Sequence, residues 1–212
     1  MKHRISIGPV FSFYKIEPNF AIEVKSRIGI NIAYKGEFFL GRRTNVLIGV
    51  EYLNEGVTFK SYYEAPGYTY LFDKSFAYFH DVRLQRVNLP VSLKLSFNSE
   101  KSNTLSTYGL LGAGATYLCK STTYIESDST KNSVYEGKTN VRFENYRISK
   151  KLSGFYLLGL GAQRNNKING RALFLELTYN HGLSRLHYEG HEYSNKLEIK
   201  NALLAFTFGV RF

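Results

Sequence analysis

Arg86-Val87-Asn88-Leu89-Pro90-Val91-Ser92-Leu93-Lys94-Leu95-Ser96-Phe97 alternates without a break. Val87, Leu89, Val91, Leu93, Leu95 and Phe97 take every second place, and Arg86, Asn88, Pro90, Ser92, Lys94 and Ser96 take the others. Successive side chains of a β-strand point to opposite faces, whereas a helix would spread both sets around its circumference. The stretch is therefore predicted to be a strand with one wholly apolar face and one largely polar face. Pro90 lacks the N–H that a ladder rung needs, so a local bulge is expected there.

The same period recurs on both sides of this stretch. Ile28, Ile30, Ile32 and Tyr34 oppose Arg27, Gly29, Asn31, Ala33 and Lys35; Val46, Ile48, Val50 and Tyr52 form a further apolar set. Leu173, Leu175, Leu177 and Tyr179 oppose Phe174, Glu176, Thr178 and Asn180. At the end of the chain Ala202, Leu204, Phe206, Phe208, Val210 and Phe212 face one way, with Asn201, Leu203, Ala205, Thr207, Gly209 and Arg211 facing the other. Residues 104–120 and 152–163 carry Gly109, Gly112, Gly114, Gly159 and Gly161, which leave both faces partly apolar and their sidedness unassigned. Glycines inside strands mark bends or the close approach of a bulky neighbour.

Between these segments short and long connections alternate. Short polar links fall at Gly41–Thr44, Asn98–Asn103 and Arg164–Asn169; long ones fall near Lys15–Lys25, Ser61–Asp81, Ser121–Arg147 and His187–Glu198. Eight strands joined in this way put both termini on the short-link side, the order of turns and loops in a transmembrane barrel. The predicted fold is all-β: a single domain over residues 1–212 forming an eight-stranded antiparallel up-and-down transmembrane β-barrel.

Composition agrees with this fold class. Tyr and Phe, 17 and 16 in number, bring the aromatic share to 16% without any Trp, and such residues favour pleated, half-buried surfaces. Charged residues interrupt every apolar segment, so no run approaches the roughly 20 apolar residues of a membrane-spanning helix. Met1-Lys2-His3-Arg4 has the basic start of a leader, but Ile5–Tyr14 alternates and is read as the first strand; an export signal is expected to have been removed. The net charge of +11 comes from scattered Lys and Arg with no nucleic-acid motif, and attraction to anionic lipid head groups explains the excess at least as well as nucleic-acid binding. The single Cys119 forms no internal disulfide and reads as a small strand residue.

The chain resembles small outer-membrane barrels of the Bacteroidetes type, PorT-like or OmpX-like. Arg86-Val87-Asn88-Leu89-Pro90-Val91-Ser92-Leu93-Lys94 resembles that group's Pro-containing central strand, and Tyr179-Asn180-His181-Gly182-Leu183-Ser184 its Tyr-x-x-Gly-Leu strand end. The closing segment resembles the terminal strand read by barrel-assembly machinery, which would make Phe206, Phe208, Val210 and Phe212 the assembly signal. The resemblance implies residence in the bacterial outer membrane and contact with its lipid and lipopolysaccharide. It also implies a non-enzymatic role as a structural barrel or an accessory subunit of a secretion or assembly system. Another envelope protein, bound through the long loops, is a further expected partner.

A barrel of eight strands has an interior just wide enough for side chains, so the lumen is expected to be plugged. Its charges are predicted to be Arg27, Lys35, Glu37, Glu51, Arg86, Lys94 and Glu176, with Lys35, Glu51 and Lys94 meeting across three consecutive strands. A charge inside a low-dielectric wall needs a partner. The connection from Ser61 to Asp81 concentrates Tyr62, Tyr63, Tyr68, Tyr70, Phe72, Phe76, Tyr78 and Phe79, a composition suited to docking protein or glycan. The same aromatics also suit strands that extend past the bilayer with an interfacial girdle. His181 and Ser184 are the best catalytic pair available, but three residues of separation put them on opposite strand faces, so no catalytic site is expected. His80, His187 and His191 read as scattered surface histidines, and neither metal nor cofactor is expected. The competing class is a soluble lipocalin-like barrel holding a small apolar ligand, which would turn Leu89, Val91 and Leu93 inward.

Overall fold

Every alternating segment lies in an extended strand of the computed structural model, which describes residues 1–17, 21–63, 76–97, 105–128, 140–144, 147–148, 152–165, 171–183, 186–189 and 197–212. Eight strands are long: β1 (Lys2–Glu17), β2 (Ala21–Phe39), β3 (Thr44–Tyr63), β4 (Phe76–Ser96), β5 (Leu105–Asp128), β8 (Leu152–Asn165), β9 (Ala172–Gly182) and β11 (Leu197–Arg211). Three short pieces, β6 (Asn140–Glu144), β7 (Arg147–Ile148) and β10 (Leu186–Glu189), accompany them. The long strands pair antiparallel in chain order, and β11 returns to β1, so the sheet closes without an edge.

Closure has a definite stagger. Following register partners from His3 through Gly36, Ile48, Val91, Ala113, Tyr156, His181 and Ala202 leads back to β1 at Phe13, ten residues beyond the start. With ordinary strand rise and spacing this shear tilts the strands by about 40° from the barrel axis.

Sidedness follows the alternation in the sequence. Leu89 is 53% exposed and Lys94 0%. Ile30, Ile32, Ile48, Val50, Val91, Leu93, Leu177 and Phe208 are likewise exposed, while Asn31, Lys35, Glu51, Asn88, Ser92, Glu176 and Thr207 are buried. The apolar outer rows of β4 run from Phe97 to Val87, about 25 Å along the axis at this tilt, the height of a lipid-facing band. The lipocalin-like arrangement is thereby contradicted, since it needs Leu89, Val91 and Leu93 inside.

Beyond that band the pattern reverses. Past Tyr52 and Val87, the inward positions become Val57, Phe59, Leu84 and Val82, all buried, while Asn54 and Arg83 are exposed. Backbone pairing therefore continues where long loops were expected: β3 runs to Tyr63, β4 starts at Phe76 and β5 reaches Asp128. Outside lipid an apolar interior with a polar exterior is the stable arrangement, and the two-residue period survives the change of surroundings.

The glycine-rich strands β5 and β8 also become readable. Tyr108, Phe155 and Phe174 point inward, and each lies beside its cross-strand partner glycine: Gly161, Gly114 and Gly209. A Cβ on Gly161 would stand 2.3 Å from Tyr108 Cζ; on Gly114, 2.6 Å from Phe155 Cζ; and on Gly209, 2.3 Å from Phe174 Cζ. The glycines leave room for large rings in a tightly curved wall.

The bulge expected at Pro90 is absent. Register is unchanged from Ile48↔Val91 to Glu51↔Asn88, so the proline interrupts the ladder without adding a residue. Its fixed φ suits an extended strand, and only the missing donor is lost. The irregularity in β4–β5 lies instead between Gln85↔Lys120 and Arg86↔Leu118, with Cys119 as the extra residue.

Candidate functional site: the filled lumen and outer wall

Inside the barrel, charges are grouped by height. Nearest the short turns, Lys94 Nζ donates to Glu37 Oε1 at 2.9 Å and to Gln163 Oε1 at 2.8 Å. Asn45 Nδ2 donates to the same Glu37 oxygen at 2.7 Å. Arg211 approaches from the other side of the lumen, with Nη1 3.7 Å from Glu37 Oε2 and Nη2 donating to Asn165 Oδ1 at 2.6 Å.

The next group is centred on Arg4. Its Nη2 is 2.6 Å from Glu176 Oε1 and 2.8 Å from the Tyr108 hydroxyl, which donates to Glu176 Oε1 at 2.8 Å. The guanidinium carbon lies 3.9 Å from the centroid of the Phe174 ring, a buried cation–π contact. Lys35 Nζ meets Glu51 Oε1 at 2.8 Å.

Higher still, Arg86 Nε lies 2.9 Å from Glu55 Oε1, Ser12 donates to Glu55 Oε2 at 3.0 Å, and Thr116 donates to Asn88 Oδ1 at 2.7 Å. Apolar side chains fill the rest. One buried cluster comprises Leu47, Tyr108, Leu110, Phe155 and Leu157, and another Val10, Leu53, Leu203 and Ala205. The strongest electrostatics thus sit in the lumen, where Glu37, Glu51, Glu55 and Glu176 each face a cation.

The predicted charges are distributed as follows. Lys35, Glu37, Glu51, Arg86, Lys94 and Glu176 are buried on the inner face. Lys35 and Glu51 meet, but Lys94 pairs with Glu37 because β2, β3 and β4 are offset by the barrel's stagger. Arg27 is not a lumen charge. Register shifts between Arg27↔Gly56 and Ile30↔Asn54, and the extra residue turns Arg27 to the outer face. There it crosses Gly56, whose absent Cβ would lie 3.2 Å from Arg27 Cδ, and pairs with Asp81 at 2.6 Å in a half-exposed setting.

Sequence reasoning missed Arg4, Glu55, Tyr108 and Gln163 as lumen residues, and put Arg211 on the polar face without counting its charge. Arg4 resembled a leader's basic start, although its alternation with Ile5 and Ile7 was the available signal.

The predicted assembly-signal residues Phe206, Phe208 and Phe212 are exposed on the outer wall, with Val210 beside them half-buried. At the seam, His3 and Phe212 exchange backbone hydrogen bonds of 2.8 and 2.9 Å, and their rings stack at 5.9 Å. In the aromatic segment, Tyr62 and Tyr63 fall in β3, and Phe76, Tyr78 and Phe79 in β4; Tyr68, Tyr70 and Phe72 lie outside the described residues. His181 stacks on Tyr156 at 5.0 Å and accepts or donates to the Tyr179 hydroxyl at 3.2 Å, whereas Ser184 and His191 lie outside the described residues. His80 and His187 belong to β4 and β10. Among the described residues no cluster of His, Cys, Asp and Glu is arranged to hold a metal.

A family model described as "Outer membrane protein beta-barrel domain" matches residues 4–188. Among solved structures, the chain is similar to the outer membrane protein OprG of Pseudomonas aeruginosa, at 13% identity and TM-score 0.53, covering 100% of this chain and 95% of that one. Ail of Yersinia pestis, in complex with the heparin analogue sucrose octasulfate, aligns at 17% identity and TM-score 0.43 over 100% and 98% of the two chains. The outer membrane protease OmpT of Escherichia coli aligns at 9% identity and TM-score 0.45 over 100% and 95%. No curated protein matches in sequence.

Proposed function

This chain belongs to the outer membrane protein β-barrel domain family, and from that premise we propose that it is a non-enzymatic structural or accessory subunit of the bacterial outer membrane with a closed lumen. The observation that carries this reading is the burial of Arg4, Glu37, Lys94, Tyr108 and Glu176 on the inner face, where side chains from five different strands pair across the lumen. A continuous water path would have to open between side chains that hydrogen-bond to one another from different strands of the wall. Purified protein in planar bilayers is expected to give no sizeable, stable conductance; steady channel openings would overturn the plug.

The finer kinship with PorT-like or OmpX-like barrels of the Bacteroidetes type is part of the same proposal, supported by residues 86–94 and 179–184. Phe206, Phe208, Val210 and Phe212 form the segment we expect the barrel-assembly machinery to read, since their outward placement leaves them available to a second membrane protein.

Partner contact is assigned to the aromatic segment of residues 62–79. Tyrosine and phenylalanine at this density offer large contact areas on paired strands that rise beyond the lipid band. Deleting residues 68–76 is expected to leave the barrel folded and to abolish capture of a crosslinked envelope protein. Undiminished capture by the deletion variant would argue against docking there.

A further inference from the structure

The outer wall carries an apolar groove of about 390 Å³, whose outward lining includes Phe97, Thr107, Leu160, Ala162, Leu175 and Phe206. It arises from a mismatch between neighbouring rows of side chains. Thr107 and Ala162 are small, and Gly109 in the adjoining row has no side chain, while Phe97, Leu160 and Phe206 stand out around them. The Phe97 ring lies against Gly109, 3.2 Å from where a Cβ would stand, and so forms one side of the groove.

The next row toward the short turns changes character. Leu105, Arg164 and Leu173 are register partners there, and Arg164 is exposed on the same face as Ala162, about 7 Å further along the strand. Arg171, also exposed, stands two residues before Leu173. Neither arginine forms an ion pair among the described residues. A cationic rim thus borders an apolar trough at the periplasmic edge of the lipid-facing band.

We infer that this groove is a binding site for one anionic phospholipid of the periplasmic leaflet, an acyl chain lying along Ala162 and Thr107 with its phosphate at Arg164 and Arg171. Bulk lipid wets the whole band without preference for headgroup. This place combines recessed apolar surface with cations at the height where phosphates sit. The inference rests on the membrane placement of the barrel and goes beyond it by naming a ligand and the residues that select it.

Native mass spectrometry of the full chain, released from detergent micelles doped with phosphatidylglycerol or with phosphatidylcholine of matched chains, tests it. One phosphatidylglycerol is expected to be retained in preference to phosphatidylcholine. Arg164→Gln and Arg171→Gln are each expected to lower phosphatidylglycerol retention about fivefold while leaving phosphatidylcholine unchanged. Ala162→Phe, or Thr107→Leu should the first fold poorly, fills the trough and lowers retention of both lipids. Equal retention of the two lipids by the native chain, or native retention by the filled variants, would overturn the site. Failure of the membrane placement is distinguishable, because the native chain would then show no heat-modifiable folded form in detergent.

Discussion

Replacing Glu37 by leucine is expected to lower the stability of the folded barrel by about 3–5 kcal/mol, the cost of stripping a partner from a buried charge. Glu37 is fully buried, accepts from Lys94 and Asn45 through one oxygen, and faces Arg211 through the other. Leucine would leave two cations in the lumen without their common carboxylate. The pair itself need not be strongly stabilising, since desolvation offsets most of its attraction. The double variant Glu37→Leu with Lys94→Met should therefore recover more than half of the loss, Arg211 keeping its hydrogen bond to Asn165. Urea unfolding in lipid vesicles, followed by heat-modifiable migration, measures both. A Glu37→Leu variant as stable as the native chain would show that the lumen is well hydrated instead of packed.

The second large effect belongs to the outer face. Val91→Arg, in the middle of the apolar band of β4, is expected to cost about 2–4 kcal/mol in vesicles, as a charge does at the bilayer midplane. Asn54→Arg, on the outer face of β3 beyond the band, is expected to change little, because that position meets water. The contrast between the two sites is more informative than either alone. Similar costs at both would mean that the band assigned to lipid has been misplaced.

Where alternation was strict, as at residues 86–97 and 202–212, both strand and sidedness were legible, because polar and apolar side chains separate cleanly into two faces. The glycine strands were not, since their faces are set by rings contributed from across the ladder: Gly161 has meaning only once Tyr108 lies over it. Arg27 was assigned to the wrong face because one extra residue in β2 inverts every position beyond it, and no single residue type announces such a shift. Pro90 was given a bulge it does not need, while the actual irregularity falls at Cys119, an unremarkable side chain. The long connections are shorter than their sequence suggests because the outward apolar rows end at the bilayer, and above it the apolar side chains turn inward at Val57, Phe59, Val82 and Leu84. In the lumen, pairing partners depend on the stagger of the closed sheet, which local sequence does not encode; Lys94 with Glu37 is the example.

Spin labels on adjacent residues test most directly which face meets lipid. In a Cys119→Ser background, nitroxides attached at Val91→Cys and, separately, at Ser92→Cys would be compared in vesicles for collision with dissolved oxygen and with an aqueous nickel chelate. Outward placement of Val91 predicts strong oxygen and weak nickel contact at that site, with the Ser92 label immobilised and shielded from both. A Val91 label immobilised inside the protein, beside a Ser92 label open to oxygen or nickel, would contradict the account.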